Sequence, residues 1–137
     1  KIKRSMGETL QMKGVSETLD AWVSGFVPAK EGKSWEDLIG ALEFSVYLRK
    51  ADGELVEHKI AAVAAIPMEE RLVMTEKDSD GKPRLKKEYY GRVAELDGQS
   101  ISARAYRLRH AVLVQWRPDR SPDTCIMDED FMLSMVL

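Results

Sequence analysis

The sequence predicts an α+β domain: N-terminal helices followed by an antiparallel β-meander of six to seven strands, forming a curved sheet or a partly open barrel. Three observations carry this expectation. Val15, Leu19, Trp22, Val23 and Phe26 recur at the spacing of one helical face. From Leu42 onward the apolar rhythm changes to strict alternation: Leu42, Phe44, Val46 and Leu48 alternate with Glu43, Ser45, Tyr47 and Arg49. Asp52-Gly53 and Asp97-Gly98 then supply hairpin signals, because Asp and Gly tolerate the positive φ of tight turns.

Residues 1–4 form a basic arm. Residues 6–14 carry both a capping-box spacing (Ser5, Glu8) and a strand-like alternation, so both readings stand. Residues 15–26 are read as the first helix, ended by Gly25 and Pro28. Ser34 and Asp37 suggest a second N-cap leading a short helix through Ala41, with Trp35, Leu38 and Leu42 inward. Strand 42–49 turns at Asp52-Gly53, in a type I′ geometry, into strand 54–66. Alanines in 61–65 also permit a helix there, and Pro67 ends the segment. Residues 71–76 read as a strand and 78–83 as a turn. Residues 84–96 read as a long strand with a bend at Gly91, and 99–107 as its partner across Asp97-Gly98. Strand 111–117 follows. Residues 117–123 form a polar loop with two prolines. Residues 124–137 are read as a final strand, with a short helix entered through Asp128, Glu129 and Asp130 as the alternative.

The 137 residues suit one domain, 1–137. A formal net charge of −2 gives no global steering toward nucleic acid or membrane. No apolar run approaches the ~18 residues of a membrane span, and the longest covers only residues 60–66. A single cysteine, Cys125, cannot form an internal disulfide and fits a reducing, cytoplasmic setting. The chain starts at Lys1 rather than methionine, as a mature form or a domain of a larger protein would.

Motifs for chemistry are sparse. Asp78, Ser79, Asp80 and Gly81 resemble the start of a calcium loop, but the twelfth position is Lys87 where a bidentate glutamate is needed. His58 and His110 lack the paired spacing of metal ligands. Cys125 would need a histidine such as His110 to act as a nucleophile. No glycine-rich phosphate loop or nucleophile elbow occurs. The sequence therefore predicts no catalytic residue, no metal and no cofactor.

Charge segregation is the more informative feature. Residues 1–76 carry a net −3, residues 77–120 a net +5 and residues 121–137 a net −4. Pairing of 84–96 with 99–107 would place Arg92 and Arg104 on one sheet face with Tyr90 and Tyr106, a combination suited to anions. The proline-bearing loop adds Arg117 and Arg120. These six residues are the candidate ligand- or partner-binding set. The sequence thus reads first as a non-enzymatic binding or protein–protein interaction module, with another protein or a small anionic ligand as partner and nucleic acid not expected. Two other readings stand beside it: a small apolar-ligand carrier with a cavity inside the curved sheet, and an enzyme with a dispersed active site centred on His58, which would share a face with Val56 and Ile60.

Overall fold

The computed structural model describes residues 17–30 and 37–136. The readings made for residues 1–16, and for Ser34 and Trp35, lie outside them. Eight strands and two short helices follow one another among the described residues. The first three strands are β1 (Glu17–Pro28), β2 (Ile39–Arg49) and β3 (Leu55–Val63), followed by α1 (Met68–Met74). A ribbon of β4 (Thr75–Lys77) and β5 (Pro83–Leu85) leads to β6 (Val93–Gly98) and β7 (Val112–Trp116), then β8 (Ile126–Asp128) and α2 (Glu129–Ser134).

The main sheet runs β3-β2-β1-β6-β7, with every neighbouring pair antiparallel. β1 organises it. Its first half, through Trp22, pairs with β6, and its second half, from Trp22 to Pro28, pairs with β2. A bulge between Val23 and Gly25 bends the strand between these two partners. β8 then runs parallel to the end of β2, opposite Tyr47, Leu48 and Arg49, where β1 has already left. Five main strands in this order, sharing one bent first strand, have the connectivity of a partly open five-stranded Greek-key barrel.

The barrel interior is filled by Phe44, Ile39, Leu42, Ile60, Met74, Leu96 and Ile101, all fully buried. Each such side chain contributes roughly 1.5–3 kcal/mol of burial. Arg71 of α1 is buried as well. Its guanidinium donates to the carbonyls of Ile39 (2.6 Å), Gly40 (2.8 Å), Ile66 (3.1 Å) and Ala64, tying the helix to β2 and to the end of β3. Gly40 is required beside it, because a Cβ there would lie 2.8 Å from the Ala29 backbone.

The N-terminal helices are not present in the described residues. Residues 17–28 are strand, and 37–41 are turn and strand. The helical spacing arose because β1 is covered on both faces. Ala21 and Val23 point into the barrel core, while Trp22 packs outside with Val93, Cys125 and Tyr47. Burial on two sides removes the alternation that marks a half-buried strand, and the bulge shifts its phase. The strands also form no meander, since β6 returns to β1 rather than to β5. Residues 71–74 belong to α1, not to a strand. Span 84–96 is broken by a 3-10 turn at Lys87–Tyr89 and by Gly91 at φ 87°. Residues 99–107 form a loop with isolated bridges from Ile101 to Leu108 and Val136. The C-terminal stretch divides between β8 and α2. The β2–β3 hairpin does turn at Asp52-Gly53. Its loop closes through Gly53 N–H to Lys50 O (2.9 Å) and Lys50 N–H to Glu54 O (2.8 Å), with Gly53 at φ 89°. That is a three-residue loop with a glycine bulge rather than a two-residue type I′ turn.

Candidate functional site

The β6–β7 ribbon has two ends, and the arginines singled out from the sequence divide between them. β6 has six residues, so the ends lie about 20 Å apart at the usual strand rise.

At one end β7 runs out into residues 117–124. The Arg117 N–H donates to Val93 O (2.7 Å), which fixes the start of the loop against β6. The loop then bonds to itself. Arg120 N–H reaches Arg117 O (3.1 Å), Thr124 N–H reaches Ser121 O (3.0 Å), and Ser121 Oγ donates to Asp123. Asp20 stands below it on the outer face of β1, opposite Glu95. One Asp20 oxygen is 3.7 Å from the Arg117 guanidinium, and the other is 3.2 Å from that of Arg120. The Asp20 side chain is only 15% exposed, whereas Arg117 and Arg120 keep 29% and 35%. The carboxylate is thus enclosed while both cations still reach water. Arg120 Nε also donates to Thr124 Oγ1 (3.2 Å), so its planar head is held from two sides.

Arg92 joins this end. Its guanidinium lies 4.0 Å over the Tyr89 ring, a cation–π contact, and its Nε donates to Glu88 O (3.1 Å). A Cβ on Gly91 would approach Pro122 at 3.8 Å, which places this segment against the 117–124 loop. Tyr90 is exposed beside it. A surface cleft of about 360 Å³ adjoins the loop, lined among others by Asp20, Arg120, Thr124, Cys125, Asp128 and Phe131. Cys125 itself is buried. Burial first, and then the Asp20 charge, push its thiol up to about 11. A thiol so protonated is a poor nucleophile.

The opposite end holds residues 99–111. Arg104 and Tyr106 are exposed there, away from Arg92 and Tyr90, so the shared sheet face expected for these four residues does not form. His110 is on this loop too, at the far end of the ribbon from Cys125. His58 Nε2 donates to Tyr106 O (2.7 Å), so its ring is tied to the loop. Asp78 caps its own turn, accepting from Asp80 N–H (2.8 Å) and Lys82 N–H (2.9 Å). The Lys82 bond leads in lowering its pKa. Its carboxylate serves the turn, as a hairpin corner requires.

Asp20 was the residue that sequence reasoning missed. In the helix expected over residues 15–26 it would lie off the apolar stripe. Only its antiparallel pairing with β6 sets it beneath a loop nearly one hundred positions later.

No family model matches the chain, and no curated protein does. Among solved structures it resembles the ligase domain of M. tuberculosis LigD. The TM-score is 0.52 at 18% identity, over 82% of this chain and 39% of that one. What the two share is the fold. Likeness to a mycobacterial DNA ligase D complexed with ATP and MES is weaker (TM-score 0.46, 17% identity, 80% and 37% covered). So is likeness to a Lig E DNA ligase (TM-score 0.44, 14% identity, 75% and 31% covered). The chain therefore spans well under half of the ligase domain it most usefully compares with.

The expectation of a non-enzymatic binding or protein-interaction module, with a protein as the favoured partner and nucleic acid set aside, is corrected by this comparison, because the solved structure that shares the fold is a ligase domain. The carrier reading falls on the packed interior, since the barrel centre is occupied by Phe44, Ile60 and Leu96. His58, on which the enzyme reading centred, is bonded to Tyr106 O. Among the described residues no helix is long and apolar enough to cross a membrane.

Proposed function

We propose that this chain acts, as a single domain over residues 1–137, as the OB-type barrel of a ligase that joins nucleic-acid ends. In this role Arg117 and Arg120 contact phosphate, and Arg92 and Tyr90 flank them. The observation that carries the reading is the pair of guanidiniums held by one enclosed carboxylate, Asp20, on a fold shared with a ligase domain. Fixed guanidiniums recognise phosphate through paired N–H donors. In phosphoryl transfer they offset the charge that builds on the phosphoryl oxygens, which needs no nucleophile from this chain. OB-type barrels present faces and loops to oligonucleotides, and exposed tyrosines such as Tyr90 offer rings on which bases stack. A cytoplasmic location suits this work and suits Cys125, kept as a buried thiol.

The reading is tested by fluorescence anisotropy with a labelled duplex carrying a single nick. Wild-type protein should bind, and the double variant Arg117→Ala, Arg120→Ala should bind at least tenfold more weakly while melting at nearly the same temperature. Equal binding by the double variant would remove these arginines from the interface.

A further inference from the structure

We infer that residues 99–111, at the other end of the β6–β7 ribbon, form a second phosphate-contacting site for the backbone of a nucleic-acid duplex, carried by Arg104, Arg107 and Arg109. This deepens the reading above and rests on it.

The segment contains three arginines and His110, and no carboxylate. All three arginines are exposed. Among the described residues none of the three pairs with a carboxylate, whereas Arg117 and Arg120 both pair with Asp20. Unpaired cations this close together repel one another, so their clustering raises the cost of the free loop unless an anion joins them.

The loop is nevertheless held in one shape. Its neck is bonded twice, by Gln99 N–H to Arg109 O (3.1 Å) and by Arg109 N–H to Ser100 O (2.7 Å). Its tip closes through Ser102 N–H to Arg107 O and Tyr106 N–H to Ser102 O, both 2.8 Å. It is fastened to β3 at two points. Leu108 N–H donates to Ile60 O (2.7 Å), and His58 donates to Tyr106 O (2.7 Å). Tyr106 and His110 sit at φ 53° and 54°, a region that non-glycine residues enter only when their surroundings impose it. Leu108 is the inward anchor, lodged so close to Gly98 that a Cβ there would meet it at 2.2 Å. Rigid backbone with free cations at its rim is what a repeating phosphate surface requires.

The spacing fits as well. An end-to-end separation of about 20 Å corresponds to about six base-pair steps, well within the length of a short duplex.

The test uses the whole chain and a labelled 24-base-pair DNA duplex, with affinity measured between 50 and 200 mM KCl. Each phosphate contact contributes about 0.9 to the log–log salt slope. The triple variant Arg104→Gln, Arg107→Gln, Arg109→Gln should therefore show a slope shallower by about 2.7 than wild type. The matching lysine triple keeps the charge and should keep the wild-type slope. A glutamine triple with the wild-type slope overturns the second site. Equal loss of slope in both triples also overturns it, since the loop's shape and not its charge would then be responsible. If the glutamine triple loses slope while the Arg117, Arg120 double variant binds normally, the second site stands and the first reading fails. If the double variant alone weakens binding, the first reading stands and the second site fails. Absence of wild-type binding rejects both.

Discussion

The two ends of the β6–β7 ribbon carry arginines in opposite states. At the end of residues 117–124, Asp20 pairs with two guanidiniums and aims them, and Arg92 is stacked on Tyr89. At the end of residues 99–111 the cations have no carboxylate among the described residues, and order resides in the backbone instead. A cation can thus be readied for an anion in two ways. One fixes the side chain with a counter-charge and suits a single, well-placed phosphoryl group. The other fixes the loop and leaves the side chains free, which suits a backbone of repeating phosphates. Both depend on the same barrel.

The largest expected effect breaks both ends together. Arg71→Met removes the donor to four backbone carbonyls that join α1 to β2 and β3. Buried acceptors left without a donor should lower stability on the order of 3 kcal/mol. Urea unfolding should show a lower midpoint with an unchanged slope. Next comes a change confined to the loop end. Gly98→Ala drives a Cβ into Leu108, at a cost of about 1–3 kcal/mol typical of overpacking. Amide exchange should accelerate across residues 99–111 and not across 117–124.

Asp20→Asn then sharpens the comparison from the other side. It removes the charge from two part-exposed ion pairs, and the loss should be about 1 kcal/mol or less. A thermal melt reads this directly, and the difference from wild type should shrink at high salt.

The smallest effect concerns Cys125. Its thiol is raised from 9.0 to about 11 by burial and Asp20. The folded form keeps its proton where the unfolded chain has lost it. The contribution to stability is therefore full below pH 9 and is lost as pH rises toward 11. Iodoacetamide labelling followed by mass spectrometry should find Cys125 of the folded protein unreactive at pH 8–9, where an exposed thiol reacts.

The sequence made some of this legible and hid the rest for identifiable reasons. The β2–β3 hairpin was readable because Phe44, Val46 and Leu48 face the core while Glu43, Ser45 and Tyr47 do not, and because Gly53 marks the turn. β1 was hidden by cover on both faces and by its bulge. α1 was hidden because it is short and leaves Met68, Leu72 and Val73 exposed, so no single stripe appears. Residues 99–107 alternate like a strand yet form a loop, since Ile101 turns inward while Tyr106 takes a positive φ. For the site, Arg117 and Arg120 stood out as a proline-bounded cationic loop. The residue that holds them did not, because contact between Asp20 and Arg120 depends on strand pairing that no local pattern encodes.

The most direct measurement is a ¹⁵N NMR titration of the chain with nicked duplex DNA, following backbone amides and arginine Nε groups. Shifts concentrated in 117–124 and 99–111, with Arg117, Arg120 and the three loop arginines moving and the 50–54 turn still, are the result this account predicts. Spectra unchanged by the duplex, or shifts confined to the exposed face of α1, would contradict it.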